Sequence, residues 1–87
     1  MLFLISSSPD TKEFNTAYKL AKDMNAEICL LQNAVYASRN SNDPGLYVLR
    51  DDMLLRGINE NEISGRPIDY SGLVDLMTDQ EKVAGLF

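Results

Sequence analysis

Residues 2–9 read LFLISSSP, a continuous apolar run that stops at a polar turn. Four consecutive apolar residues are typical of a strand that is covered on both faces, as in a parallel sheet. Beyond the turn, Ser8 is a suitable N-cap and Pro9 a suitable first residue of a helix. Apolar residues then recur at helical spacing, at Phe14, Ala17, Leu20, Ala21 and Met24. This stretch therefore predicts a buried strand followed directly by an amphipathic helix.

The same alternation of apolar runs and helical patterns continues along the chain. Residues 28–31, 46–49 and 67–70 predict three further strands, and Pro67 places the last of them at a sheet edge because proline cannot donate to a ladder. Two short helical stretches are predicted over residues 34–38 and 53–56, and a longer helix over residues 71–77.

The ends of these helical stretches also have sequence signals. Asn33 can cap the first stretch, and Asp51 or Asp52 can cap the second. Gly57 follows the second stretch as its C′ residue. Ser71 is the expected cap of the longer helix, which we expect to bury Leu73, Val74, Leu76 and Met77.

Strands that alternate with helices indicate a parallel sheet with right-handed crossovers and helices on both faces. The predicted fold is a small three-layer α/β/α sandwich with a mainly parallel four-stranded sheet. Residues 1–87 form a single domain in this interpretation, and the pattern leaves the strand order open.

Charge and composition exclude several classes of function. Thirteen acidic residues against eight basic ones give a net charge of −5, and the basic residues do not cluster. Direct binding of nucleic acid is not expected, since it needs a basic patch. No apolar run approaches the roughly 20 residues of a membrane helix, so we expect a cytoplasmic protein with no membrane contact.

Cys29 is the one cysteine of the chain, and the chain has no histidine. A thiolate at this position could accept a persulfide sulfur, but a reactive thiol needs partial exposure and a nearby positive charge. Cys29 stands in a predicted strand between Ile28 and Leu30, which favours a small buried side chain instead. We expect it to be buried and slow to react.

Polar residues follow the first two predicted strands, where open α/β sheets bind ligands. They are Ser6, Ser7, Ser8, Gln32 and Asn33. These side chains could orient a ligand or contact a partner, although turn and capping chemistry explains them equally well. The neighbouring carboxylates Asp51 and Asp52 are adjacent in sequence, so they do not form a catalytic or metal-binding pair on a helix. No metal or cofactor site is predicted.

The chain ends on two large apolar residues, Leu86 and Phe87. Chain ends are usually polar and frayed. These residues either fold back onto the core or cover a neighbouring subunit. The small size of the domain favours the second interpretation, an oligomer interface.

Three segments together resemble the DsrH/TusB family. LLQNAVYA (residues 30–37) is similar to the LLQ-(N/D)-G-V-YA segment of that family. LYVL (residues 46–49), followed by Asp51-Asp52 and Leu55-Arg56-Gly57, resembles its second motif, and IDYSGLVDL (residues 68–76) its third. Ala34 departs from the usual glycine. Some members carry a cysteine in the first helix, where this chain has none.

The resemblance implies an α/β sandwich that serves as a mainly architectural subunit of a sulfur-relay complex. Such complexes pass persulfide sulfur toward 2-thiolation of the tRNA wobble uridine or within sulfur oxidation. The implied partners are DsrE- and DsrF-like (TusD- and TusC-like) subunits and sulfur carrier proteins, in a homo- or hetero-oligomer. Two alternatives stay open: a homo-oligomeric sulfurtransferase that uses Cys29, and a flavodoxin-like module that binds a small anion at Ser6, Ser7 and Ser8.

Overall fold

The computed structural model describes residues 1–39, 43, 45–79 and 82–86, of which residues 84–86 are described by their backbone. The elements are β1 (Leu2–Ile5), α1 (Lys12–Asp23), β2 (Glu27–Leu30), a first 3₁₀ helix (Gln32–Arg39), β3 (Leu46–Leu49), α2 (Arg50–Leu55), a second 3₁₀ helix (Glu60–Glu62), β4 (Arg66–Ile68), α3 (Tyr70–Asp79) and β5 (Val83–Leu86).

All neighbouring strands of the sheet are parallel, in the order β4-β3-β2-β1-β5. Leu4 of β1 pairs with Cys29 of β2, which in turn pairs with Tyr47 of β3. The short strand β4 lies at one edge, as Pro67 predicts. The expected α/β fold class with a parallel sheet is therefore confirmed.

Side chains of the strands alternate between two cores, one on each face of the sheet. Phe3 and Ile5 belong to the larger core, which α1, the first 3₁₀ helix and α2 cover. Leu2, Leu4 and Cys29 belong to the smaller core, which is covered by Leu73 and Leu76 of α3. This distribution follows from right-handed crossovers, because three connections run one way across the sheet and the fourth, through α3, runs back.

The sheet has a fifth strand that the four-stranded prediction lacked. Residues 83–86 pair in parallel with β1, and the Leu2 amide donates to the Lys82 carbonyl at 3.1 Å. The run is short and its partner lies at the other end of the chain, so local pattern does not reveal the pairing. Phe87 and the side chain of Leu86 lie outside the described residues, and their role at an interface stays a prediction.

The start of α1 differs from the prediction. Thr11, not Ser8, is the N-cap, and its hydroxyl oxygen accepts from the Phe14 amide at 3.2 Å. The Ser8 hydroxyl donates instead to Asp10 at 2.6 Å, while the Ser8 carbonyl accepts from Thr11. Pro9 therefore lies in a turn before the helix. Farther along α1, Leu20 and Met24 are exposed, whereas Phe14, Ala17 and Ala21 are buried.

The start of α3 also corrects the prediction. Asp69 caps the helix in place of Ser71, because its carboxylate accepts from the Gly72 amide at 2.7 Å. Leu73 is buried as expected. Val74 and Met77 were expected in the core, but they are 57% and 38% exposed. They lie on the side of α3 that faces away from the sheet.

Candidate functional site at the carboxyl edge of the sheet

Cys29 lies within β2 on the face that α3 covers, and its side chain has no exposed surface. Burial raises the pKa of the Cys29 thiol to about 12, and the negative charge of Asp52 adds to the rise. At pH 7 roughly one thiol in 10⁵ is then ionised. The predicted burial of Cys29 is confirmed, and its environment disfavours the thiolate that sulfur transfer needs.

Gln32 follows β2 at the carboxyl edge of the sheet, and its backbone is left-handed, with φ of 48°. This conformation is rare for a residue other than glycine, asparagine or aspartate. The Gln32 amide donates to Oδ2 of Asp52 at 2.7 Å. Since Asp52 lies in α2, directly after the neighbouring strand β3, this bond joins the carboxyl ends of two adjacent strands.

Asp52 therefore does not cap its own helix. The helix α2 begins at Arg50, and its N-cap, Leu49, makes no side-chain capping bond. The predicted capping by Asp51 or Asp52 is wrong because the Asp52 carboxylate is engaged by the Gln32 amide 20 residues earlier. The end of this helix is as predicted, since Gly57 has φ of 71° and follows the C-cap Arg56.

Arg56 connects the same two segments through its guanidinium group. Its Nε donates to Oδ1 of Asn33 at 3.1 Å, and its Nη1 donates to the Asp52 carbonyl at 3.1 Å. The carboxylate of Asp52 lies 3.9 Å from the same Nη1. Asn33 was expected to cap the stretch that follows it, but the first 3₁₀ helix already includes it and its side chain binds Arg56.

We call Gln32, Asn33, Asp52 and Arg56 the edge network. Gln32 and Asn33 are exposed, whereas Asp52 and Arg56 are half-buried. Asp52 and Arg56 were not among the predicted site residues. The order of the family motifs could have pointed to them. The motif with Asp52 and Arg56 follows the strand after the one that precedes Gln32 and Asn33. The carboxyl ends of neighbouring parallel strands meet at one edge of the sheet.

The match to a known protein family covers the residues of the edge network. The family model described as DsrH like protein matches residues 6–83, which include the whole edge network. The chain belongs to the DsrH-like family. Among solved structures, the solution NMR structure of protein Tm0979 from Thermotoga maritima is similar to this DsrH-like chain, with a TM-score of 0.69 and 26% identity over 98% of this chain and 100% of that one. No curated protein sequence matches the chain.

The serines of this DsrH-like protein follow β1 and therefore lie at the same edge of the sheet. Ser6, Ser7 and Ser8 are half-buried. Ser8 is used locally, through the turn with Asp10 and Thr11. A ligand-binding role for these serines stays a prediction.

Two exposed leucines precede Arg56 on the outer side of the DsrH-like fold. Leu54 is 57% and Leu55 81% exposed, and together with Asp51 they line a shallow surface groove. In the described part of the chain, no set of three or more Cys, Asp or Glu side chains is placed to hold a metal ion, and no helix has the length and hydropathy to cross a membrane.

Proposed function

We propose that this DsrH-like protein is an architectural subunit of a cytoplasmic sulfur-relay complex that passes persulfide sulfur between carrier proteins. Family membership supports the relay role. The burial of Cys29 is the observation that supports an architectural role rather than a catalytic one. The relay serves either 2-thiolation of the tRNA wobble uridine or sulfur oxidation, and its sulfur-bearing cysteine belongs to another chain.

The chemistry of persulfide transfer explains this division of labour. Transfer requires a thiolate that reaches and attacks the outer sulfur of a donor persulfide. Cys29 has no exposed surface, and its pKa of about 12 leaves it protonated at physiological pH. A DsrE- or DsrF-like (TusD- or TusC-like) partner therefore supplies the nucleophile, and this chain contributes a binding surface to the complex.

The apolar side of α3 supports association with such a partner. Tyr70, Val74 and Met77 are 59%, 57% and 38% exposed. Their spacing of four and three residues places them on one face of the helix. An exposed apolar stripe on the helix that covers the smaller core is a typical subunit-contact surface.

Co-purification from the native host, read by mass spectrometry, tests the proposed assembly. We expect DsrE- and DsrF-like chains to accompany the tagged protein. The double variant Val74→Glu/Met77→Glu should lose them because it places charge in the apolar stripe. Leu20→Glu is the matched control, since Leu20 is an exposed apolar residue on α1, at the other face of the sheet. Recovery of the wild-type protein alone would contradict the proposal.

A second experiment separates the architectural role from the alternative sulfurtransferase role. The Cys29→Ala variant should assemble with its partners and support sulfur transfer at the wild-type rate. If the assembled, folded variant no longer supports transfer, Cys29 is the working thiol and the protein is a catalytic subunit.

A further inference from the structure

The side-chain amide of Asn33 is oriented by the hydrogen bond that it accepts. Arg56 Nε donates to Oδ1 of Asn33, which leaves the NH₂ group of this exposed residue for another partner. Among the described residues, that NH₂ group makes no hydrogen bond. The exposed end of Asn33 is therefore a pair of oriented N–H donors.

Arg56 adds further donors from a fixed position. Two of its five N–H groups are used, one on Asn33 and one on the Asp52 carbonyl. The side chain is only 21% exposed, and these two bonds hold its planar head in place. Its other three N–H groups make no hydrogen bond among the described residues, and the Nε bond keeps the head of Arg56 next to the Asn33 amide.

The charge of the edge network limits which acceptor suits these donors. The carboxylate of Asp52 offsets the charge of Arg56 at 3.9 Å, and the whole chain carries −5. Phosphate recognition uses clustered cations or several oriented amides to replace its strong hydration. A site with many donors and little net charge suits a monovalent, polarisable anion that costs less to dehydrate.

We propose that Asn33 and Arg56 form a hydrogen-bond donor site for the terminal sulfur anion of a persulfide. This inference rests on the proposed relay function, which supplies persulfides as the group that partners present. Asp52 is a positioning residue in this site, because it holds the Gln32 amide on one side and Arg56 on the other. The site binds the sulfur anion and forms no covalent bond to it.

A pair of small anions tests the inference with the full chain. Methanethiosulfonate carries a terminal sulfur anion, whereas methanesulfonate has the same charge and nearly the same shape with oxygen in place of that sulfur. Their binding is followed through the NMR signals of the Asn33 side-chain NH₂ and the Arg56 Nε–H group. We expect a saturable shift with methanethiosulfonate, and binding about fivefold weaker for methanesulfonate and for inorganic phosphate, because their oxygen-centred charge is more strongly hydrated and costs more to dehydrate.

Matched variants locate the effect. Asn33→Ala and Arg56→Lys should each weaken methanethiosulfonate binding about tenfold, since each removes a charge-assisted or oriented donor. Asn59→Ala and Arg39→Lys are the controls, because Asn59 makes no capping bond and Arg39 pairs with Glu62 elsewhere on the surface. The absence of a saturable shift, equal binding of methanesulfonate, or full binding by Asn33→Ala would each overturn the inference.

Failure here is distinguishable from failure of the relay role. A negative titration with partners still co-purifying overturns the donor site alone. A positive titration without any co-purifying partner overturns the relay role and supports the donor site.

Discussion

Cys29 and Gln32, the first residue of the edge network, lie three residues apart in the chain, yet the environments of the thiol and of the edge network are opposite. Cys29 is enclosed by two strands and α3, and burial raises its pKa to about 12. Gln32 and Asn33 are exposed. Asp52 binds the backbone amide of Gln32, and Arg56 binds the side chain of Asn33. The residue with the reactive atom is closed off, whereas the residues with only hydrogen-bonding groups are accessible and oriented. This difference suits a subunit that binds and positions rather than reacts.

Introducing the same charge at both positions should show the largest contrast. Cys29→Asp places a carboxyl group in the smaller core without a partner, and we expect a loss of more than about 4 kcal/mol in the free energy of unfolding. Asn33→Asp should change that free energy by less than about 0.5 kcal/mol, since the position is exposed and Arg56 adjoins it. Urea denaturation followed by circular dichroism measures both. Comparable losses for the two variants would show that the environments are not opposite.

The stability of the protein at high pH tests the burial of the thiol through its ionisation. The folded pKa of Cys29 is raised, so the protonated thiol stabilises the fold fully below the unfolded pKa of about 8.5, and this contribution is lost as the pH rises through about 12. The wild type should lose about 1.4 kcal/mol per pH unit relative to Cys29→Ala between about pH 9 and pH 12. Parallel stability curves for the two proteins would mean that Cys29 ionises normally in the fold.

Asp52 links the two regions, because it binds the Gln32 amide and its charge also raises the pKa of Cys29. Asp52→Ala should lower the free energy of unfolding by about 1.5–3 kcal/mol, the usual cost of losing a charged hydrogen-bond partner. It should also shift the alkylation profile of Cys29 to lower pH. Asp51→Ala is the matched control, since Asp51 is the exposed neighbour. Equal effects of the two substitutions would mean that Asp52 does not stabilise the edge network.

Relieving the left-handed backbone of Gln32 should have the smallest effect on the free energy of unfolding. Gln32→Gly should raise the free energy of unfolding by up to about 1 kcal/mol, because glycine adopts φ of 48° without steric cost. The comparison is Asn25→Gly, at φ of 55°, where the gain should be smaller since asparagine tolerates this region. Thermal denaturation measures both variants. A destabilised Gln32→Gly protein would mean that the glutamine side chain contributes more than its backbone strain costs.

The sequence allowed the fold to be predicted in its local parts. Apolar runs such as residues 2–5 and 46–49 indicated strands β1 and β3 with the bounds that the structure has. The pairing of residues 83–86 with β1 could not be predicted, because it joins the two ends of the chain. Helix caps were wrong where a competing side chain lay nearby, as Thr11 does for Ser8 and Asp69 for Ser71.

The residues of the candidate site also differ in how far local sequence pattern predicts them. Gln32 and Asn33 could be predicted, since both follow a strand at the edge where ligands bind in α/β sheets. Asp52 and Arg56 were not predicted from the local pattern, because they reach the edge network across 20 and 23 residues of chain, and only the order of the family motifs points to them. Their approach depends on β2 and β3 being neighbours, and the sequence pattern left the strand order open.

The central claim is that this protein takes part in sulfur relay without using its own thiol. Mass spectrometry of the native chain after incubation with a sulfane-sulfur donor and a maleimide tests it most directly, with urea-unfolded protein as the reactive reference. Because the raised pKa leaves about 10³ times less thiolate than an ordinary cysteine has, we expect neither the mass of an added sulfur atom nor maleimide labelling on native Cys29 while the unfolded chain reacts fully. Rapid persulfide formation or labelling at Cys29 in the native protein would contradict the claim.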